Sequence, residues 1–183
     1  MLVIQKRFYR NSFLLEELVL FELRRWSLND QKYLIALCNG VDRKFLSDRI
    51  PEPYTKEDAD IWLNMVSKTD GINNLFRAIC VNKKIIGGIS LEKKDGVYKK
   101  TAVIGYMILK EYSNRGIMTN AVRQIINIGF NCLDLLRIEG HVYDKNIASC
   151  RVLEKNDFVL EGILKSAIYK NDQAYDLRIY ARF

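Results

Sequence analysis

Histidine is nearly missing: His141 is the only one among 183 residues, which excludes any metal centre built on several imidazoles of one chain. Of the four cysteines, Cys38, Cys80, Cys132 and Cys150, no two stand in C-x-x-C spacing. A four-cysteine zinc site therefore lacks its close pairs, and reduced, mostly buried thiols are the simplest reading. The two prolines fall together at Pro51 and Pro53. No stretch has linker, repeat or low-complexity character. Long apolar runs are lacking as well. The N-terminal MLVIQKRFYRNSFLLEELVLFEL is broken by Lys6, Arg7 and Arg10, so it has no signal-peptide core, and nothing approaches the roughly 20 apolar residues of a membrane span. A cytoplasmic protein with neither metal nor membrane partner is expected.

What is present suits one soluble domain over residues 1–183, with 1–15 as an N-terminal extension: 49% of the residues are hydrophobic and 28% charged, and the length suffices for a real core. The net charge of +7 raises the question of nucleic acid. The basic residues are spread along the chain, however, and no cluster exceeds the pairs Lys83-Lys84, Lys93-Lys94 and Lys99-Lys100. A nucleic-acid partner is therefore the least favoured class.

Hydrophobic periodicity lays out the elements. A strand is expected over Leu18–Trp26, then a helix capped by Asn29 or Asp30 and ending at Gly40, then a helical turn over Asp42–Leu46. Thr55 with Asp58 reads as a capping box, Asp standing where Glu is usual, opening a helix through about Ser67. Strands follow over Leu75–Val81 and Lys84–Leu91, joined at Asn82-Lys83, with a second turn at Asp95-Gly96. Further on come a strand at Arg137–Val142, a short helix at Ser149–Asn156, and a hairpin of Phe158–Tyr169 with Gln173–Ala181.

The chain is organised around Thr101–Val122. Thr101–Leu109 alternates as a strand, and from Gly116 the spacing turns helical, with Met118, Ala121, Val122, Ile125, Ile126 and Gly129 on one face. A helix entered through Ser113-Asn114-Arg115-Gly116 presents unpaired amides and a positive dipole end, which suits a phosphate. An ordinary strand-to-helix corner fits the same residues.

Asn114-Arg115-Gly116-Ile117-Met118-Thr119 resembles the acetyl-CoA pyrophosphate loop of the GNAT N-acetyltransferase superfamily. Asn146-Ile147-Ala148-Ser149, followed by Val152-Leu153-Glu154-Lys155-Asn156-Asp157-Phe158, is similar to its second cofactor-side motif. Ile50-Pro51-Glu52-Pro53-Tyr54-Thr55 with Asp58-Ala59 and Trp62 resembles the bacterial ribosomal-protein N-acetyltransferase branch. The resemblance implies an α/β fold: a mixed, mostly antiparallel twisted sheet with flanking helices and a central β–α–β unit whose two parallel strands splay around the pantetheine arm.

It also implies acetyl transfer from acetyl-CoA to a primary amine, either a small molecule or a protein N-terminus, by direct attack. Coenzyme contacts are implied for Met107, Ile108, Leu109, Ser113, Asn114, Arg115, Gly116, Ile117, Met118, Thr119, Asn146 and Ser149. The tetrahedral oxyanion would take a backbone donor from Tyr106–Leu109. The family's thiolate-protonating tyrosine corresponds to Leu153, leaving Ser149, one turn earlier, as the proton donor, and Glu139 is the candidate base. Departures stand out in both motifs: Ser113 where the first often begins with Gln or Arg and Met118 where it has a small residue, and Asp157 in place of the glycine before Phe158. A non-catalytic acyl-CoA-binding module on the same fold is the alternative class. The acceptor is unreadable, and a homodimer is compatible with the sequence.

Overall fold

Residues 20–183 are described by a computed structural model; the extension expected over 1–15, and the start of the first strand at Leu18, lie outside them. Seven strands form one sheet: β1 (Glu22–Arg25), β2 (Asn74–Val81), β3 (Lys84–Lys93), β4 (Thr101–Ile108), β5 (Arg137–Tyr143), β6 (Val159–Lys170) and β7 (Gln173–Arg182). They run in the order β1-β2-β3-β4-β5-β7-β6. Each neighbouring pair is antiparallel except β4 and β5, which are parallel. Four helices complete the fold: α1 (Gln31–Gly40), α2 (Lys56–Thr69), α3 (Ile117–Cys132) and α4 (Ile147–Glu154).

Local chemistry explains most boundaries. Asn82 and Lys83 take φ of 48° and 65°, the doubly left-handed pair that matches a two-residue hairpin to strand twist. Thr55 caps α2 as expected, its own amide donating to Asp58 Oδ2 at 2.8 Å. At α1 the cap differs from expectation. Ser27 makes the capping box with Asp30, and a 3-10 turn over Leu28–Asp30 leads into the helix. Asp30 is held there because its buried carboxylate also pairs with Arg24 at 2.7 Å. The segment after α1 forms hydrogen-bonded turns rather than the expected short helix, with Leu46 N–H donating to Arg43 O at 3.1 Å. At Asp95-Gly96 a 3-10 turn over Gly96–Tyr98 stands in place of a tight hairpin turn.

The sheet separates two apolar layers. Even-numbered residues of β4 and β5, including Ala102, Ile104, Ile138 and Val142, face the side where α3 lays down Ile117, Met118, Ala121, Val122, Ile125 and Ile126. On the opposite face two smaller clusters, one with Leu34, Tyr54 and Leu63, the other with Leu37, Val41 and Ile85, seat α1 and α2. The expected crossover from β4 through α3 to β5 is present, and it makes those two strands parallel. Among the described residues no helix is long and apolar enough to cross a membrane.

Candidate active site

The site begins where pairing stops. β4 and β5 are in register from Thr101↔Arg137 to Ile104↔Gly140 and no further. On its other edge β4 stays bonded to β3: Leu109 N–H donates to Ile86 O at 2.9 Å, and Lys94 N–H to Thr101 O at 2.8 Å. Odd-numbered residues of β4 therefore direct their backbone groups to β3, and strand alternation turns those of Tyr106 and Ile108 toward β5. Above Ile104 no partner strand among the described residues meets them. The result is a wedge-shaped gap edged by free amides and carbonyls.

The N-terminus of α3 lies at the end of the same strand. Asn114 at φ 60° and Gly116 at φ 71° flank Arg115, so the chain alternates in hand and its amides converge, an arrangement that suits an anion. None of the backbone amides of Arg115–Thr119 has a partner among the described hydrogen bonds; the first backbone bond back into the turn is Asn120 N–H to Gly116 O. A Cβ on Gly116 would meet nothing nearer than Asn120 Nδ2 at 3.9 Å. The left-handed φ, rather than crowding, makes glycine the fitting residue. Arg115 lies over the Tyr112 ring, 5.6 Å from its centroid, and with Arg123 gives this end exposed positive charge. The Met118 side chain is 8% exposed and packs into the core, so it does not obstruct the amides.

Across the gap stands α4. Asn146 caps it, its Oδ1 accepting the Ser149 N–H at 3.2 Å, which accounts for a start two residues earlier than expected. The Tyr106 hydroxyl donates to Ser149 O at 3.3 Å, bridging β4 to the first turn of α4. Burial pushes the Tyr106 phenol above its ordinary pKa, so the bridge keeps its proton. Ser149 is half-buried, and its hydroxyl has no protein partner among the described hydrogen bonds. Cys150 and Leu153 point into the core, 2% and 0% exposed. Leu153 fits because Gly140 lies beneath it; a Cβ there would stand 2.5 Å from Leu153 Cδ1.

On the α1–α2 side the gap opens into a cavity of about 170 Å³. Tyr106, Met107, Ile108 and Asn146 contribute from the gap, while Val41, Asp42, Phe45 and Leu46 contribute from the segment after α1. That segment is tied down from two directions. The Lys170 ammonium, at the tip of the β6–β7 hairpin, donates to Leu46 O and pairs with Asp48 at 2.9 Å. Phe45 packs on Tyr143, and Tyr143 on Tyr175, with ring centroids 5.5 Å apart in each pair.

Comparison with known proteins matches this arrangement. A family described as acetyltransferase (GNAT) domain covers residues 21–159. The chain belongs to the GNAT acetyltransferase family. The probable N-acetyltransferase YjcK of Bacillus subtilis (strain 168) is 39% identical over 98 residues, 54% of each chain. The ribosomal-protein-serine acetyltransferase of Escherichia coli (strain K12) is 33% identical over 99 residues, 54% of this chain and 55% of that one. The matched stretch thus spans about half the length of these curated relatives. In fold, the chain is similar to RimL, a ribosomal L7/L12 alpha-N-protein acetyltransferase solved in complex with coenzyme A, at a TM-score of 0.79 and 23% identity, over 89% of this chain and 93% of that one.

Against the GNAT frame, the residues named from sequence divide into two groups. Ile108, Asn114, Arg115, Gly116, Ile117, Thr119, Asn146 and Ser149 border the gap or the α3 terminus. Ser113 closes the turn before them, its N–H donating to Lys110 O. Met107 and Leu109 direct their backbone groups to β3; what they offer the site is side chain, and Tyr106 carries the second free backbone edge. Glu139 is the clear misfit as a base. It lies in the paired part of β5, 13% exposed, with Lys94 at 2.6 Å, Arg137 at 2.9 Å and His141 at 3.0 Å. Burial alone would raise its pKa, yet hydrogen bonds from these three partners bring it down to about 2. A carboxylate so held has a structural role and little appetite for a proton. Asp42 and Phe45 were not named from sequence, because the short turn expected over Asp42–Leu46 gives no side chain a face.

Proposed function

We propose that the chain is an acetyl-CoA-dependent N-acetyltransferase acting on a primary amine by direct attack, without a covalent enzyme intermediate. The observation that carries this reading is the free edge of β4 at Tyr106 and Ile108, leading to the open amides of Arg115–Thr119. An extended amide-bearing arm can add to that edge as a strand would, with a pyrophosphate at the helix terminus. Bound acetyl-CoA supplies the thioester carbonyl. The Ile108 amide, facing the gap, offers a donor to the developing oxyanion. Asn146 and Arg115 hold the coenzyme, and the Ser149 hydroxyl donates to the departing sulfur. The names of the relatives make a protein α-amine the first acceptor class to try, beside small amines. A cytoplasmic setting fits the buried thiols, Cys38 being pushed up to about 12 by burial.

The test is thiol release across a panel of peptide and small-molecule amines, alongside thermal unfolding. Coenzyme at about 100 times its Kd should add about 2.7 kcal/mol and raise the Tm by roughly 5–10 °C. Unchanged melting would remove the coenzyme site. A shifted Tm without thiol release from any amine would leave a coenzyme-binding module on the same fold, the reading favoured by Leu153, buried where the family's tyrosine would stand.

A further inference from the structure

Acetyl transfer to an amine needs a group that takes the proton of the incoming ammonium, because only the neutral nitrogen has a lone pair for attack. Glu139 is held by Lys94, Arg137 and His141 below the gap. Among the described residues lining the cavity, the one carboxylate is that of Asp42. One of its oxygens accepts the Lys44 amide N–H at 2.9 Å, which fixes the carboxylate, and the residue is exposed while lining the cavity.

The charged groups around it are largely engaged elsewhere. On its own segment Arg43 pairs with Glu52 at 2.8 Å, and the Lys44 ammonium lies over the Phe45 ring. From the hairpin, Lys170 is taken by Asp48 and Leu46 O. From the end of β5, Asp144 pairs with Lys145 at 3.3 Å, and Tyr143 stacks between Phe45 and Tyr175. From β4, the Tyr106 hydroxyl is committed to Ser149 O. Among the described residues no lysine or arginine lines the cavity, and Asp42 is the one charged side chain in its lining.

Resting on the transferase reading above, we propose that Asp42 receives the acceptor's ammonium and takes its first proton, and that this cavity selects amines with no carboxylate beside the nitrogen. The atoms balance. The ammonium gives one proton to Asp42, which passes it to water; the nitrogen forms the C–N bond; and the C–S bond breaks. The second nitrogen proton replaces the one that leaves on the sulfur, so the products are an amide, the free thiol and one released proton. A peptide N-terminus or an alkylamine meets these terms. A free amino acid brings a carboxylate that finds like charge at Asp42 and no cation in the cavity wall.

Asp42→Asn keeps the acceptor oxygen for Lys44 N–H and removes the base. With a peptide acceptor near pH 7, kcat/KM should fall about 100-fold, with the coenzyme-induced rise in Tm unchanged. The pH profile should change shape too. The wild type stays level through neutral pH, while the variant gains about tenfold per pH unit up to the amine's pKa, because it must wait for amine that is already neutral. Asp42→Glu should recover part of the loss. Wild-type rate and profile in Asp42→Asn, or a free amino acid used better than its carboxyl amide, would overturn the assignment and leave the transferase reading standing. A wild type that releases no thiol with any amine would overturn both.

Discussion

At the scale of single residues, the neighbours Ser149 and Cys150 illustrate how a one-position step on a short helix separates chemistry from packing. Ser149 is half-buried on the first turn of α4, with its side chain beside the Tyr106 phenol, while Cys150 is buried against the core. Ser149→Ala should lower kcat on the order of 100-fold while leaving the coenzyme's effect on Tm intact. Cys150→Ala should instead cost about 1 kcal/mol of stability with turnover per folded molecule retained. Steady-state kinetics beside thermal melts would tell the two apart, and equal turnover in Ser149→Ala would remove the proton-donor role. Side-chain destinations of this kind were partly legible from sequence. Asn146 and Ser149 were named through the resemblance of Asn146–Ser149 to the family's second cofactor-side motif, not from periodicity. Glu139 could not be placed, because its role is set by Lys94, Arg137 and His141, and Lys94 reaches it from just past β3, 45 positions away in sequence. Asp42 was invisible for the complementary reason, since a turn without periodicity assigns no face.

At the scale of elements, the junction from β4 to α3 depends on backbone hand. Gly116 sits at φ 71° with open space around its missing side chain, so a substitution there acts through conformation rather than collision. Asn tolerates the left-handed region and a β-branched residue does not. Gly116→Asn should therefore stay close to wild type, whereas Gly116→Val should lose about 1–2 kcal/mol and most of its coenzyme affinity. Isothermal titration with coenzyme A measures the second effect. Full affinity in Gly116→Val would show that the amides of Arg115–Thr119 are not what hold the ligand. Element positions themselves were legible because periodicity, capping pairs such as Thr55/Asp58 and the Asn82-Lys83 turn agree with one another. α1 starts where expected, directly after Asp30, but the Arg24–Asp30 ion pair occupies that carboxylate and the side-chain cap is made by Ser27 on the preceding 3-10 turn.

At the scale of the molecule, strand order followed from alternation of elements, and the α3 crossover forced β4 and β5 to be parallel. How far those two strands stay together was not legible, because register ends where side chains and twist pull them apart, a matter of three dimensions. The seam joins four residue pairs, so the sheet behaves as two leaves, β1–β4 and β5–β7, stitched at one end and crossed by α3. Such a seam leaves a signature in amide hydrogen exchange that no single contact would produce. Along the free end of β4, exchange should alternate residue by residue: Met107 and Leu109, anchored to β3, slow, and Tyr106 and Ile108, facing the open side, fast. Coenzyme should slow the fast pair and barely touch the slow one, erasing the alternation. Uniform protection of all four amides without ligand would mean that the leaves are closed in solution, and that the coenzyme must pry them apart before it can bind.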